Sequence, residues 1–194
     1  FAPWIKGSAD SEMILQIGLK NSRLKYHKKY VPFTLPDSLE HWLERSVGEG
    51  ELSDGGFIFR GSLTKGAADK RSIQLFLNMQ NADLNYHPDW PSLSQVDALL
   101  TVDDFDVMAD VATGKIYDSL ISNTQVLVNP NPAGEGSLLN LQGTLNGEAS
   151  DGLRVLRESP IRKAIGTSLD TWALQGESLT TLDLAVPLKV GEPG

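Results

Sequence analysis

Alternation of apolar and polar residues is the feature that most limits what this chain can become. Met13, Leu15, Ile17 and Leu19 recur at every second position, as do Ile73, Leu75, Leu77 and Met79. Val96, Ala98, Leu100 and Val102 form a third run, and Phe105, Val107, Ala109 and Val111 a fourth. A period of two places one set of side chains on one face of an extended strand, so each run reads as a strand with one buried face. Later come Ile116, Leu120, Val126 and Val128, less regularly, and then Leu139, Leu141 and Leu145. Trp172 and Leu174 precede a last run of Leu182, Leu184, Val186 and Leu188. Leu84 and Tyr86 continue the Ile73 run after a turn. Clusters of turn-forming residues separate the runs: Asn81-Ala82-Asp83, Asp103-Asp104, Thr113-Gly114 and Asn129 to Gly134. Connections this short predict antiparallel neighbours.

Two helical signals interrupt the strands. Asp37 with Glu40 three residues on has capping-box spacing, Leu39, Trp42 and Leu43 fall at helical spacing, and Gly48 closes the segment. A second signal starts at Ser150-Asp151 and runs through Leu153, Val155 and Leu156. It restarts at Ser159-Pro160 and ends near Gly166. The expectation is a mainly β chain with two short helical insertions. Its sheet is antiparallel, either curled in a taco-like way around an apolar interior or stacked as a sandwich, and periodicity does not choose between them. Residues 1–194 read as one unit. Gly48 to Gly56 and Gly61 to Lys70 are the best candidate breaks, and both also fit loops.

Charge and composition narrow the function. A net charge of −8 opposes binding to nucleic acid, which needs a basic surface. The absence of Cys removes thiolate chemistry, disulfides and Cys-based metal sites. No apolar run approaches the roughly 18 residues of a membrane-spanning helix. The chain begins at Phe1 without a signal-peptide pattern, which reads as a piece of a longer protein.

Side-chain constellations favour structure over chemistry. His87-Pro88-Asp89-Trp90-Pro91 holds a close His–Asp pair, but two prolines suit a rigid bend between strands better than a general base. Asp103, Asp104, Asp106 and Asp110 lack the loop pattern of a calcium site, so no metal is expected. Asp103 and Asp106 are the nearest approach to a hydrolase carboxylate pair, with no pocket to serve them. Lys20, Arg23, Lys25, His27, Lys28 and Lys29 form the basic run of an acidic chain; such a run suits contact with anionic head groups or an acidic partner, but protection of an edge strand or loop from pairing with another sheet is the favoured reading. Phosphate-loop, dinucleotide, zincin and nucleophile-elbow motifs are missing, so neither an enzyme nor a cofactor is expected.

Several short segments occur in a recognisable order. Tyr30-Val31-Pro32, Leu35-Pro36 and Trp42-Leu43 are followed by Gly50-Glu51-Leu52 and Gly56-Phe57-Ile58-Phe59-Arg60-Gly61. Then come Leu84-Asn85-Tyr86-His87-Pro88-Asp89-Trp90-Pro91 with Leu93, Asp104, Gly114-Lys115-Ile116, Ser159-Pro160-Ile161 and the stretch from Leu182 to Leu188. This ordered set resembles YhdP-type proteins of the AsmA-like group, which also includes TamB, across about residues 24–190. The resemblance implies a central periplasmic segment of a large envelope protein, anchored in the inner membrane by a helix outside this piece. It implies a long curled sheet whose apolar groove carries phospholipid between inner and outer membranes. The implied partners are phospholipid acyl chains and neighbouring segments of the same protein. Candidate groove residues are Leu75, Leu77, Met79, Leu100, Val102, Val107, Val111, Leu141, Leu184 and Val186, each equally at home in an ordinary core. Trp42, Tyr86, Trp90 and Trp172 are expected to be packing anchors. The alternative function is a non-enzymatic structural or interaction module.

Overall fold

The computed structural model describes residues 12–29, 44–62, 71–132 and 136–188. Eight strands follow one another in a single antiparallel sheet, in chain order from one edge to the other. They are β1 (Glu12–Arg23), β2 (Glu51–Ser62), β3 (Arg71–Leu84), β4 (Leu93–Asp103), β5 (Asp106–Ile116), β6 (Ser119–Pro130), β7 (Ser137–Glu148) and β8 (Glu177–Leu188). Among the described residues there is no second sheet, so the sandwich expectation gives way to one wide sheet. A 3₁₀ turn, Leu24–Lys29, follows β1. Helices α1 (Ala149–Glu158) and α2 (Ile161–Ile165) fill the β7–β8 connection.

Two of the expected turns are interruptions of another kind. Asn81-Ala82-Asp83 lies inside β3 and Thr113-Gly114 inside β5. Each marks a place where the register slips while the strand continues. Register shifts occur at Leu52/Asp54, Met79/Ala82, Ala82/Leu84, Ser94/Asp97, Asp97/Ala98 and Ser122/Gln125. They form an irregular band from β2 to β6. Asn21, Asn81, Gln95 and Asn123 have φ of 50°, 49°, 51° and 48° within strands, the left-handed region that Asn tolerates better than most residues. A bulge inserts one residue, bends its strand and increases the twist, which is how a sheet this wide coils instead of lying flat.

Each bulge frees backbone groups from the ladder, and nearby polar side chains take them up. Asp97 Oδ1 accepts the Asn81 amide at 2.8 Å, the Ser53 hydroxyl donates to the Asn78 carbonyl at 3.2 Å, and that of Thr124 donates to the Ser122 carbonyl at 3.1 Å. β7 and β8, by contrast, pair from Ser137–Leu188 to Glu148–Glu177 without a shift.

The bulges also reset the alternation. Inward side chains in β3 pass from Met79 to Ala82, and in β4 from Leu93 to Val96. In β6, Ile121 and Val126 face inward whereas Leu120, 47 % exposed, faces out, correcting its place in the sequence-derived run. Phe105 is likewise not part of its run. It sits in the Asp104-Phe105 turn between β4 and β5, 82 % exposed. The outer face is not uniformly polar either, since Ile14, Phe76, Leu99 and Leu179 are exposed there.

The proposed break at Gly48–Gly56 is not one, because β2 runs through Gly55 and Gly56. The capping box at Asp37 and the break at 63–70 fall outside the described residues, as does Trp42. Residues 44–46 are helical, after which Val47 bridges to Leu84. Gly48 does not end the segment in a left-handed cap. Its N–H donates to the Asp83 carbonyl at 2.8 Å, and a Cβ there would stand 3.1 Å from that oxygen, so close backbone approach explains the glycine.

The late helices match expectation closely, with Gly166 at φ 63° donating its N–H to the Arg162 carbonyl at 2.9 Å. Asp151 lies within the first turn of α1 and is buried.

Candidate functional site

The apolar face is the candidate site, and the register shows how continuous it is. At one level the inward residues from β1 to β4 are Ile17, Phe57, Leu75 and Val102. The same level continues from β5 to β8 with Val107, Val128, Leu139 and Val186. One step along the strands, Leu77, Leu100, Ala109, Val126, Leu141 and Leu184 form a second level from β3 to β8. On its β1 side that level begins with Leu19 and Gly55. A third level holds Met79, Ala98, Val111 and Thr124. All ten sequence-derived candidates therefore lie on the same face.

Burial is uneven along that face. Phe59 is 1 % exposed and Val102 3 %, and Met79, Leu100 and Val111 are also buried. Leu75, Leu77 and Val107 are half-buried beside this cluster. On β7 and β8, Leu141, Leu184 and Val186 are half-buried and stand outside it. The face thus runs from a packed core in β2–β5 to a partly open surface at β8. Residue by residue, Met79, Leu100, Val102 and Val111 act as core. Leu141, Leu184 and Val186 present apolar surface to their surroundings.

One end of the face is closed by the longer connections. Leu24 and Val47 pack into the core cluster beside β3 and β4. At the far side α1 lies beside the ends of β6, β7 and β8. Its Gly152 backs onto Leu145 and Thr180, which are cross-strand neighbours. The attachment is polar and buried: the Ser119 hydroxyl donates to Asp151 Oδ2 at 2.6 Å and the Asp118 N–H to the same oxygen at 3.3 Å. Gly147 leaves room for it, because a Cβ there would collide with Ser119. Charge-assisted bonds in a buried place are strong, and their loss strands the partner groups. Replacing Asp151 with Ala should therefore lower stability by about 2–3 kcal/mol. A urea titration, repeated for Ser119→Ala and the double variant, should show that the two losses do not add.

On the outside of α1, the Tyr117 hydroxyl donates to Glu158 Oε2 at 2.7 Å, and Arg154 Nε donates to Glu158 Oε1 at 2.8 Å. The Arg154 guanidinium also lies 3.9 Å from the Tyr117 ring centroid. These donors hold the Glu158 carboxyl below its usual range. Tyr117 moves up, first because burial disfavours the phenolate and then through its bond to Glu158. The cluster ties α1 to the β5–β6 turn and offers no reactive group.

The other constellations lie in or beside bends, turns and loops. In the bend after β3, the Asp89 N–H donates to His87 Nδ1 at 3.0 Å, and the Tyr86 and Trp90 rings stand 6.5 Å apart. Tyr86 and Trp90 are the half-buried anchors expected there. Trp172 is not an anchor: it is 55 % exposed, and Arg157 holds that loop through the main-chain carbonyls of Leu169, Asp170 and Trp172. Asp103 and Asp106 face each other across the β4–β5 turn, exposed. Asp103 accepts from Gln74 Nε2 at 3.2 Å, while Asp104 Oδ1 accepts the Ile73 amide at 2.7 Å. No cluster of three or more His, Asp or Glu converges as metal ligands among the described residues. The basic run begins on the outer strand β1 and enters the 3₁₀ turn, where Lys25 pairs with Glu49 at 3.4 Å.

The family model described as YhdP protein matches residues 4–194. The chain belongs to the YhdP family. No curated protein and no solved structure matches it. For this YhdP family member the resemblance carried by the ordered short segments holds across nearly the whole chain. Tyr30-Val31-Pro32, Leu35-Pro36 and Trp42-Leu43 lie outside the described residues, and later segments have places in the fold. Gly56 to Gly61 is the middle of β2, Leu84 to Pro91 ends β3 and makes the bend, and Leu182 to Leu188 is the open half of β8. Sequence reasoning missed the band of bulges, although three Asn residues at Asn21, Asn81 and Asn123, each inside an extended run, were its available signal.

Proposed function

We propose that this chain is one segment of a bridge-like phospholipid conduit in the cell envelope, working in the periplasm and offering its apolar face to acyl chains. The observation that carries this reading is the apolar level that crosses all eight strands without a polar side chain. An acyl chain leaving water gains about 0.8 kcal/mol for each CH₂ buried. A surface made of alternate-position aliphatics gives similar burial at every strand and no hydrogen bond to stop a lipid, so movement from strand to strand meets no deep trap. Membership of the YhdP family supports an envelope setting. The partners on this reading are phospholipid and the preceding and following segments of the same protein, with any membrane anchor elsewhere. No step of bond-making is involved.

The gradient of burial supports lipid contact on the β7–β8 side of the face. Leu141, Leu184 and Val186 are the accessible part of the face, whereas Leu100 and Val107 adjoin or belong to the packed cluster. Leu184→Asp combined with Val186→Asp should leave the fold intact and reduce bound phospholipid at least about tenfold, the effect of roughly 1.4 kcal/mol. Native mass spectrometry with lipid extraction, and uptake of a fluorescent phospholipid, would measure it. A folded wild-type chain that neither co-purifies with lipid nor takes up the probe sinks lipid holding by this segment. The second reading, a structural module, is favoured by the packed β2–β5 cluster, and it would then stand.

A further inference from the structure

The outer face of the sheet holds a pattern the lipid reading does not use. At the level of Asp54, directly opposed residues run across the strands as Asp54, Asn78, Asp110, Gln125, Gln142 and Asp183, with Leu99 between the second and third. Lys20 of β1 stands opposite Asp54 at the end of the ladder, and along the rest of it neutral amides donate to the carboxylates. Asn78 Nδ2 donates to Asp54 at 3.2 Å, Gln125 Nε2 to Asp110 at 2.8 Å and Gln142 Nε2 to Asp183 at 3.3 Å. Each primary amide has two N–H donors and each carboxylate about four acceptor sites, so every pair retains free donors and acceptors. A depression of about 600 Å³ opens over the middle of this ladder, where the bulges of β3, β4 and β6 come together.

A second, independent feature lies one step along the strands. There Phe76 is directly opposed to Gly56, and Gly56 to Gly18. The Phe76 ring lies over Gly56, with open space above Gly18, and remains 41 % exposed. An exposed ring beside a row of planar amides and carboxylates is the combination that holds a sugar: the ring takes the apolar C–H face, and the amide–carboxylate pairs take the hydroxyls. The excess of carboxylate on the ladder and the net charge of −8 repel a polyanion. No convergent set of three ligands is present to hold a metal ion among the described residues.

We propose that this outer strip binds a linear, neutral, hydroxyl-rich glycan, laid across the strands along the ladder and stacked on Phe76. The site is separate from the apolar face, on the opposite side of the same sheet. It would let the segment lie against a polysaccharide while its other face is occupied.

The test is an NMR titration of the isotope-labelled chain with chitotetraose, a neutral oligosaccharide, following the side-chain amide signals. The expected result is saturable shifts at Asn78, Gln125 and Gln142, with Phe76→Ala and Gln125→Ala each weakening binding about fivefold while the spectrum stays well dispersed. The lipid-face variants should not alter it. Absence of shifts up to about 10 mM ligand overturns the proposal. So do equal shifts on adding calcium chloride, equal binding of an acidic oligogalacturonate, or shifts confined to the inner face.

Discussion

Replacing Phe59 with Ala should lower the unfolding free energy by about 3–5 kcal/mol, the range for a large buried aromatic ring. Among the described residues Phe59 is the largest fully buried side chain, at 1 % exposure, and sits in β2 between Leu15 of β1 and Ile73 of β3. Its removal leaves a cavity that three backbone-paired strands cannot close, so the transfer loss and the cavity cost add. Leu184→Ala supplies the contrast. That side chain is half-buried on β8, the last strand of the described sheet, and its truncation should cost only about 1 kcal/mol, far below the 2–5 of a core Leu. Urea denaturation of both variants measures the difference. Equal losses would mean that the face is packed to the same degree from end to end, and the division into core and open surface would be wrong.

This gradient was not legible in the alternation that defines the strands. Leu100 and Leu184 each belong to a run that recurs at every second position, and both lie on the inner face. What separates them is the number of strands and connections that crowd each one, and that depends on position in the sheet. Strand β4 has three strands on one side and four on the other, and Leu24 and Val47 close its end, whereas β8 is outermost. Local pattern therefore supplied the face, the antiparallel order and the late helices. It left open whether the inner surface was shared by two sheets or enclosed by one.

The bulges escaped for a related reason. Asn81-Ala82-Asp83 has the composition of a turn, and a turn and a bulge both use a residue that accepts left-handed φ. The distinction comes from the partner strand: Asp97 is positioned to accept the Asn81 amide, so the chain goes on instead of reversing. Trp172 failed in the opposite sense. Its size suggested an anchor, but the loop around it is secured by Arg157 through main-chain carbonyls, which no side-chain pattern announces.

Deleting Asn123 should be tolerated, whereas deleting Gln142 should abolish cooperative folding. In β6, Ile121 and Thr124 both face inward, and the residue in excess over β7 lies between Ser122 and Gln125. Removing Asn123 leaves Ile121, Thr124, Val126 and Val128 at strict alternation, so each side chain keeps its face; the excess over β7 is lost and a one-residue excess passes to β5, which in the intact chain pairs with β6 without a shift. The expected cost is that of an ordinary substitution, about 1–3 kcal/mol. β7 pairs with β8 without a shift and has no spare residue to lose. Removing Gln142 forces either Leu139 and Leu141 or Leu145 onto the outer face, since a one-residue slip transfers every side chain beyond it. Urea unfolding followed by circular dichroism separates the two cases. A cooperative transition for the Asn123 deletion and none for the Gln142 deletion is the expected pair. If both deletions unfold the chain, the excess residue in β6 is required for the fold itself. The coil of the sheet would then depend on each bulge, and the apolar level from Ile17 to Val186 could not form on straight strands.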